Sequence, residues 1–412
     1  MATLETANPF PPLFLTENDT RQLEGLADAF IRNAMDQYER TTFDGKQQQQ
    51  EIDERRWKFV LERNNINVFT ERREKVGANG ASSALYTDID DAPVTNHDDL
   101  PVVLLTGTIE CTLDDALYAY ICPDIDTMRV KTAYIDDQIA RAAVLATLIK
   151  PTLDAPFRSL SIKWFEKGRP LHVRAIAKNR DFVYMESTGT DVLSNGERIG
   201  YHLIHSVQFP QTPELDTLVR GNMSLIGIFR QKPDNTVNAY VTGVMNPAGG
   251  IMRSIIVKSA AHGIISVSKY QHCAELKKLA WFMRQKTSAS VSVDGEASKG
   301  HGTTCVTCSK KPSSFLLVGS SSRATCKICS QYVCSSCRLK KKLNFIAKDR
   351  RLVQQEMTFC ASCVRDAVSV PALQIAQEEV VATEPFSWNT KYANSSSSSE
   401  VSPKNTSLSY IP

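Results

Sequence analysis

The 412-residue chain has no apolar run of the length that a membrane-spanning helix needs. Its start, MATLETANPFPPLFLTEND, has neither the basic lead nor the continuous apolar core of a secretory signal. Both absences lead us to expect a cytoplasmic protein, in a compartment where thiols stay reduced. Equipment for catalysis is missing too. The seven histidines are scattered, no Gly-rich phosphate loop stands out, and no Ser/His/acid order is found. The acid pairs Asp90/Asp91, Asp98/Asp99, Asp114/Asp115 and Asp136/Asp137 read as caps and turns, because sequence neighbours in a helix or strand do not share a face. The expectation is a protein that binds rather than an enzyme.

Cysteine is where the sequence is rich. Eight of the eleven cysteines fall in residues 305–363 as four Cys-x-x-Cys pairs: Cys305/Cys308, Cys326/Cys329, Cys334/Cys337 and Cys360/Cys363. A two-residue gap lets both thiolates of a pair meet one tetrahedral ion, so four pairs imply two Zn²⁺. The pairs are separated by 17, 4 and 22 residues. The four-residue gap is too short for two zinc loops side by side, which predicts interleaving: pairs one and three on one ion, two and four on the other. A disulfide framework is the rival, and it needs an oxidising compartment. Cys111, Cys122 and Cys273 lie apart and are expected as small buried apolar residues.

The formal charge of +3 hides a division. Residues 305–363 hold eleven Lys/Arg against two Asp/Glu, whereas residues 1–304 hold 34 against 38. Even with eight thiolates and two divalent ions the small cysteine-rich unit stays basic. Such a unit seeks an anionic surface, lipid or nucleic acid.

Ahead of it, a helical stripe of Leu23, Leu26, Ala27, Phe30, Ile31, Ala34, Met35 and Tyr38 follows capping residues at 16–19. Residues 57–71 alternate as one or two strands, 76–100 read as turns, and 101–109 as a buried strand. Thr112 and Asp115 fit a capping box for a helix through Leu117, Tyr118 and Ile121. Strands are then expected at 142–149, 160–165, 172–177, 182–186, 201–209, 223–230, 238–244 and 252–257. Tight turn signals separate them, which means an antiparallel sheet. A second amphipathic helix is expected at 265–285. The fold class is α+β. By composition, 287–303 is a flexible linker. Residues 365–381 suit one helix kinked at Pro371, and the Ser-rich 384–412 a disordered tail.

Residues 10–286 resemble the START lipid-transfer domain, in which an antiparallel sheet grips a long C-terminal helix over a lipid cavity (the helix-grip fold). The likeness rests on Asn179-Arg-Asp-Phe-Val183, with Ile162-Lys-Trp164 before it, 201–209 and 223–244 after it, and a closing helix ending in Leu279-Ala-Trp281. It implies a bound lipid, without choosing among sterol, phospholipid and sphingolipid. The charged candidates for its lining are Arg158, Lys163, Glu186, Arg198 and Arg220, although charged residues in strands usually face solvent.

Residues 304–366 resemble a FYVE zinc finger, carried by the four-residue gap between Cys329 and Cys334 and the Cys-x-x-Cys pairs on either side. That family is a cross-brace of two zinc ions that reads phosphatidylinositol 3-phosphate on endosomal membranes through three motifs. All three are altered here. Residues 287–304 contain no Trp for the Trp-x-x-Asp motif. The basic double-His motif reads Ser322-Arg-Ala-Thr-Cys326-Lys327, keeping Arg323 and Lys327 and losing both histidines. The Arg-Val-Cys of the last pair reads Thr358-Phe-Cys360. Ala324 has no side-chain donor for a phosphate. Two membrane features persist. Phe315, Leu316, Leu317 and Val318 stand where the family carries an apolar membrane loop, and Arg338, Lys340, Lys341 and Lys342 follow the third pair.

The sequence thus leads to a non-enzymatic lipid-binding or lipid-transfer protein. Its expected partners are a lipid in the body and an anionic membrane surface, endosomal if the FYVE likeness holds. The alternative is an adaptor, since FYVE-related fingers without the double histidine act as effector modules for small GTPases. A RING-type ligase would need a His ligand near the second pair, and the nearest is His301, ahead of Cys305. Nucleic acid is not an expected partner, because the basic unit lacks interleaved aromatics for stacking.

Overall fold

The computed structural model describes residues 5–6, 8–42, 52–76, 82–87, 100–168, 178–291, 304–311 and 324–382. In chain order these form β1 (Glu5–Thr6), α1 (Glu17–Thr42), β2 (Trp57–Arg63), β3 (Ile66–Glu71), β4 (Arg73–Val76), β5 (Ser82–Thr87) and β6 (Val102–Ile109). There follow α2 (Leu113–Tyr120), α3 (Ile125–Ile135), β7 (Ile139–Ile149), β8 (Ser159–Lys167), β9 (Asn179–Val192), β10 (Arg198–Ser206) and β11 (Leu218–Arg220). The body ends with β12 (Asn222–Gln231), β13 (Val237–Asn246), α4 (Arg253–Ile264), a 3₁₀ turn (Ile265–Lys269) and α5 (Tyr270–Val291). The cysteine-rich unit adds β14 (Leu339–Ile346), β15 (Leu352–Phe359), α6 (Ala361–Ser369) and α7 (Ala372–Val381).

Eleven strands form one sheet in the order β1-β7-β8-β9-β10-β12-β13-β6-β3-β2, with β11 beside β9. Its ladders are antiparallel except at the short β1–β7 and β11–β9 pairings. Side chains alternate across each strand, and here both faces are covered. On one face α1 packs Leu23, Ala27, Ile31 and Tyr38 against Leu160, Ile162, Val183 and Met185. The other, concave face receives α2, α3, α4 and α5. This is the helix-grip arrangement, α+β, with α5 held against the sheet through α2.

Local chemistry explains how the helices seat. At α2, the Thr112 side chain accepts from the Asp115 N–H at 3.1 Å, while the Asp115 carboxylate accepts from the Thr112 N–H. Gly200 on β10 lets that helix lie close, since a Cβ there would come within 2.8 Å of Leu117 Cδ2. The Asn179-Arg-Asp-Phe-Val183 segment has a structural task. Asp181 accepts from both Nε and Nη2 of Arg220, at 3.1 and 2.9 Å, and from the Trp164 indole at 2.9 Å. Arg220 also lies over Phe10, anchoring the N-terminal segment.

Several elements differ from those the sequence suggested. Residues 252–257 lead into and begin α4, not a strand: both edges of β13 are already taken, by β12 and β6, and the buried Ile256, Val257, Ala260, Ala261 and Ile264 follow helical spacing. The expected helix over 265–285 begins as a 3₁₀ turn and becomes α-helical at Tyr270. It runs to Val291, into the stretch expected as a linker. The last helix is two, α6 and α7, divided at Val370–Pro371, because Pro cannot supply an N–H. The hairpin β4–β5 occupies part of the stretch expected as turns. Helix α3 was not anticipated. Eight of its eleven residues are buried, including Arg129 and Lys131, so it has no polar face to give an amphipathic signal. Its one legible mark is the capping box of Asp124 and Thr127. The strand expected at 172–177 and the tail at 384–412 lie outside the described residues.

Candidate functional site

Two of the sets of buried side chains on the concave face do not touch each other. The larger holds the inner faces of α2, α4 and α5 with Val103, Leu105, Phe229 and Val241 of the sheet. The second is Phe182, Tyr184 and Met223, on β9 and β12. Only the half-buried Leu225 and Met245 reach both. Phe165 and Ile204, half-buried beside the second set, complete its apolar floor. Helix α4 crosses this part of the face. At its start Arg253 donates to the Glu71 carbonyl of β3 at 2.8 Å, and near its end Gly263 approaches Lys167 Nζ of β8.

One end of this floor is charged. Cross-strand register places Lys163 opposite Tyr184, and Ser161 opposite Glu186. The Lys163 ammonium donates to Glu186 and to the Cys122 carbonyl, and the other Glu186 oxygen pairs with His202 Nε2 at 2.8 Å. Burial works against the Glu186 charge, but Lys163 and His202 hold its carboxyl well below the usual range. Burial pushes the His202 imidazole down, against the pull of Glu186. His202 is therefore neutral near pH 7, its Nε2–H donates to the carboxylate, and the ring stacks on Tyr120 at 4.9 Å. Cys122 is held as a thiol, chiefly by burial. Lys131 of α3 lies in the field of the Cys122, Glu186 and Asp137 groups. Asp137 and Lys167, enclosed and half-buried, complete the cluster.

Of the charged candidates for an interior, Lys163 and Glu186 are in this cluster. Arg220 is buried on Asp181, outside it. Arg198 is exposed and pairs with Asp114 at 2.8 Å, and Arg158 is exposed. Lys131, Asp137, Lys167, His202 and Cys122 were not foreseen as members. The turn reading of Asp136/Asp137 holds for Asp136, the left-handed cap of α3, while Asp137 points to the cluster's side.

In the cysteine-rich unit, Cys305, Cys308, Cys334 and Cys337 converge, as do Cys326, Cys329, Cys360 and Cys363, with the sulfurs of each group within 4.8 Å of one another. These are pairs one with three and two with four, the crossing that the short gap between Cys329 and Cys334 imposes. The Cys308–Cys334 and Cys329–Cys360 sulfurs are 3.7 and 3.9 Å apart. A tetrahedron of thiolates at the usual Zn–S length has edges of about 3.8 Å. The Cys334 N–H also points to Cys305 Sγ at 3.4 Å. Each group fits one tetrahedral metal ion.

The basic residues are divided by the pleat of β14. Lys341 shares its side with the buried Leu343 and Phe345 and is half-buried, its charge reaching His272 of α5. Lys340 and Lys342 are exposed on the other side, and Lys340 pairs with Glu356 at 2.8 Å. Lys327 and Arg338 are half-buried, and the Lys327 N–H donates to the Thr358 carbonyl. Arg323, Phe315, Leu316 and Leu317 lie outside the described residues.

The unit is docked on the body. The Asn344 N–H donates to Tyr134 of α3 at 2.8 Å, Arg350 pairs with Asp126, and Lys278 of α5 donates to the Val368 carbonyl. Helix α7 closes the contact through Glu379, which accepts from Tyr118 and Arg284. No helix among the described residues is long and apolar enough to cross a membrane.

No protein-family model matches the chain, and no curated protein matches its sequence. Solved structures do match. Human StAR-related lipid transfer protein 5 is similar at 12% identity over 63% of this chain and 98% of that one, with a TM-score of 0.39. Human STARD10 is similar at 13% identity over 70% of this chain and 88% of that one, with a TM-score of 0.37. A STAR-related lipid transfer protein from Xanthomonas axonopodis is similar at 12% identity over 53% of this chain and 98% of that one, with a TM-score of 0.36.

Proposed function

We propose that this chain is a non-enzymatic lipid-binding or lipid-transfer protein. Its body, 10–286, holds one lipid between the sheet and α4. The observation that carries this is the pair of unconnected apolar sets on one concave face, with Phe165, Ile204, Leu225 and Met245 left half-buried in its floor. Close-packed interiors do not leave apolar side chains half-covered beneath a helix. An apolar hollow with a few polar groups at one end is the usual build of a ligand site. Native mass spectrometry of the purified full chain is expected to show a lipid adduct that organic extraction removes. Protein that carries none, and takes none from mixed vesicles, refutes the reading.

The unit at 304–366 holds two Zn²⁺, one per Cys₄ group, as a cross-brace, and docks peripherally on an anionic cytoplasmic membrane. Exposed Lys340 and Lys342, with Lys348 in the turn of the hairpin, supply the charge. Each basic residue near such a surface contributes about 1 kcal/mol. Ala324 has no donor, so docking goes by charge rather than by stereospecific reading of phosphatidylinositol 3-phosphate, and any endosomal address follows leaflet charge. Replacing Lys340 and Lys342 by Ala is expected to weaken flotation with anionic liposomes roughly 30-fold, from about 2 kcal/mol. Lys341→Ala should change it little. Unaltered flotation of the double variant ends the docking idea.

A second reading is an adaptor for a protein such as a small GTPase, and the Lys340–Glu356 pair favours it by engaging one of the outward lysines. Lipid-free protein that ignores liposomes but retains a GTPase on a column would establish it.

A further inference from the structure

The charged end of the hollow is not balanced. Lys131, Lys163 and Lys167 bring three ammonium groups to it, against the carboxyls of Glu186 and Asp137. His202 adds no charge while neutral. Lys163 and Glu186 satisfy each other. Lys131 is only 7% exposed, yet it makes no hydrogen bond or ion pair with a described residue. Buried ammonium groups are almost always paired, because an unpaired one carries a desolvation penalty of several kcal/mol. Burial works against the Lys131 charge, and the nearby Glu186 and Asp137 carboxylates oppose that effect. Asp137 does not close the account, since one of its buried oxygens is itself without a hydrogen bond.

The surroundings suit the head of a chain-bearing molecule. Tyr184 joins the charged end to the apolar floor: it stands cross-strand from Lys163 and belongs to the set with Phe182 and Met223. A long apolar group on Phe182, Met223, Leu225 and Met245 would have its polar end directed at the lysines. Lys167 stands near α4 where Gly263 leaves room, a Cβ there being 4.0 Å from its Nζ. Three ammonium groups face two carboxyls here, so a neutral or positively charged head would leave Lys131 without an acceptor.

We propose that the hollow selects a lipid with an anionic head, a phosphate monoester or carboxylate, that pairs with Lys131 and Lys167. This rests on the reading of the hollow as a lipid site. The head displaces nothing already bonded, and it supplies the acceptor that the protein withholds from Lys131. Lys163 and Glu186 form the fixed wall against which the head is placed.

The test uses the full-length, metal-loaded chain and vesicles of phosphatidylcholine doped with phosphatidic acid, free fatty acid, diacylglycerol or cholesterol. Lipid recovered with the protein is quantified by mass spectrometry, beside a thermal-shift titration with inorganic phosphate. The expected result is at least tenfold enrichment of phosphatidic acid or fatty acid over diacylglycerol and cholesterol. Lys131→Met keeps the apolar stem and removes the charge. It should bring that ratio to within twofold while the variant still binds diacylglycerol and keeps its melting temperature. Equal uptake of neutral and anionic lipids by the wild type overturns the proposal and leaves the lipid site standing. An unchanged ratio in Lys131→Met overturns it too. Inorganic phosphate that stabilises the protein as strongly as the lipid does assigns the lysines to a free anion and overturns the lipid head. Uptake of no lipid of any class removes the lipid site itself, and the proposal with it.

Discussion

Replacing Glu186 by Gln tests the buried charge directly. Glu186 is 2% exposed, bonded to Lys163 on one oxygen and to His202 on the other. The amide keeps the volume but leaves the Lys163 ammonium without its counter-charge, beside the Cys122 carbonyl and sulfur. Breaking a buried pair by removing one partner costs about 3–5 kcal/mol, mostly the price of the charge left behind. For a body of this size, about 2–4 °C of melting temperature per kcal/mol gives a fall of about 6–20 °C. Removing both charges, as Lys163→Met with Glu186→Gln, leaves neither member of the pair stranded and should recover most of the loss. The coupling from the full cycle is then about 2 kcal/mol or more. Urea titration followed by far-UV circular dichroism, on both single variants, the double and the wild type, supplies the four free energies. A Glu186→Gln loss below about 1 kcal/mol, with negligible coupling, would mean that water reaches the pair, and the enclosed charged end of the hollow would be refuted.

The same groups set the response to acid. His202 has a folded pKa below its ordinary 6.5, so its contribution is complete above that value and is lost as pH falls through the window beneath it. Glu186, depressed well below 4.5, adds a second loss below about that pH as the unfolded chain takes up protons first. His202→Asn should shrink the upper step in melting temperature against pH, leaving the part due to His205 and His272, which burial also pushes down, and leave the lower step. Metal analysis is expected to give two ions per chain, matching the two Cys₄ groups, with Cys305→Ser and Cys326→Ser each losing one and the double variant losing both; a double variant that keeps one ion would contradict the crossing of the pairs. Tyr134→Phe strands the buried Asn344 N–H and should cost about 1–3 kcal/mol in thermal or urea unfolding. No loss there would mean that the unit is not docked through α3.

How much of this was legible depended on whether the signal was local. The capping box at Thr112, the stripe of α1 and the crossing of the cysteine pairs follow from neighbouring residues and short gaps, and sequence carries those directly. Helix α3 and the start of α4 were hidden for opposite reasons. The former is covered on nearly every side, so Arg129 and Lys131 broke the expected apolar face. The latter carries Ile255, Ile256 and Val257 in its first turns, β-branched residues whose strand preference is overridden because both edges of β13 are already paired, with β12 and β6. The buried charged cluster on the concave face was only partly legible. Lys163 and Glu186 sit on separate strands and His202 on a third, brought together by register alone. A charged residue in a strand ordinarily faces solvent; here the concave face is roofed by helices, and the usual rule inverts.

The docking of the cysteine-rich unit narrows what it can do at a membrane. Its apolar core is continuous with that of the body: Leu343, Phe345, Met357 and Phe359 join the set that includes Tyr134, Cys273 and Leu276. Helices α6 and α7 then pack along α5, the helix gripped by the sheet. One side of the β14–β15 hairpin is therefore spent on the body, which is why Lys341 faces inward while Lys340 and Lys342 face out. A bilayer meeting this protein would touch the outer side of the hairpin, with α5 on its inner side. Metal binding in such units is worth roughly 10–16 kcal/mol of folding free energy. Loss of the ions would loosen the hairpin and the hold of α6 and α7 on α5 together, so a chelator should lower the melting temperature of the body as well as that of the metal unit.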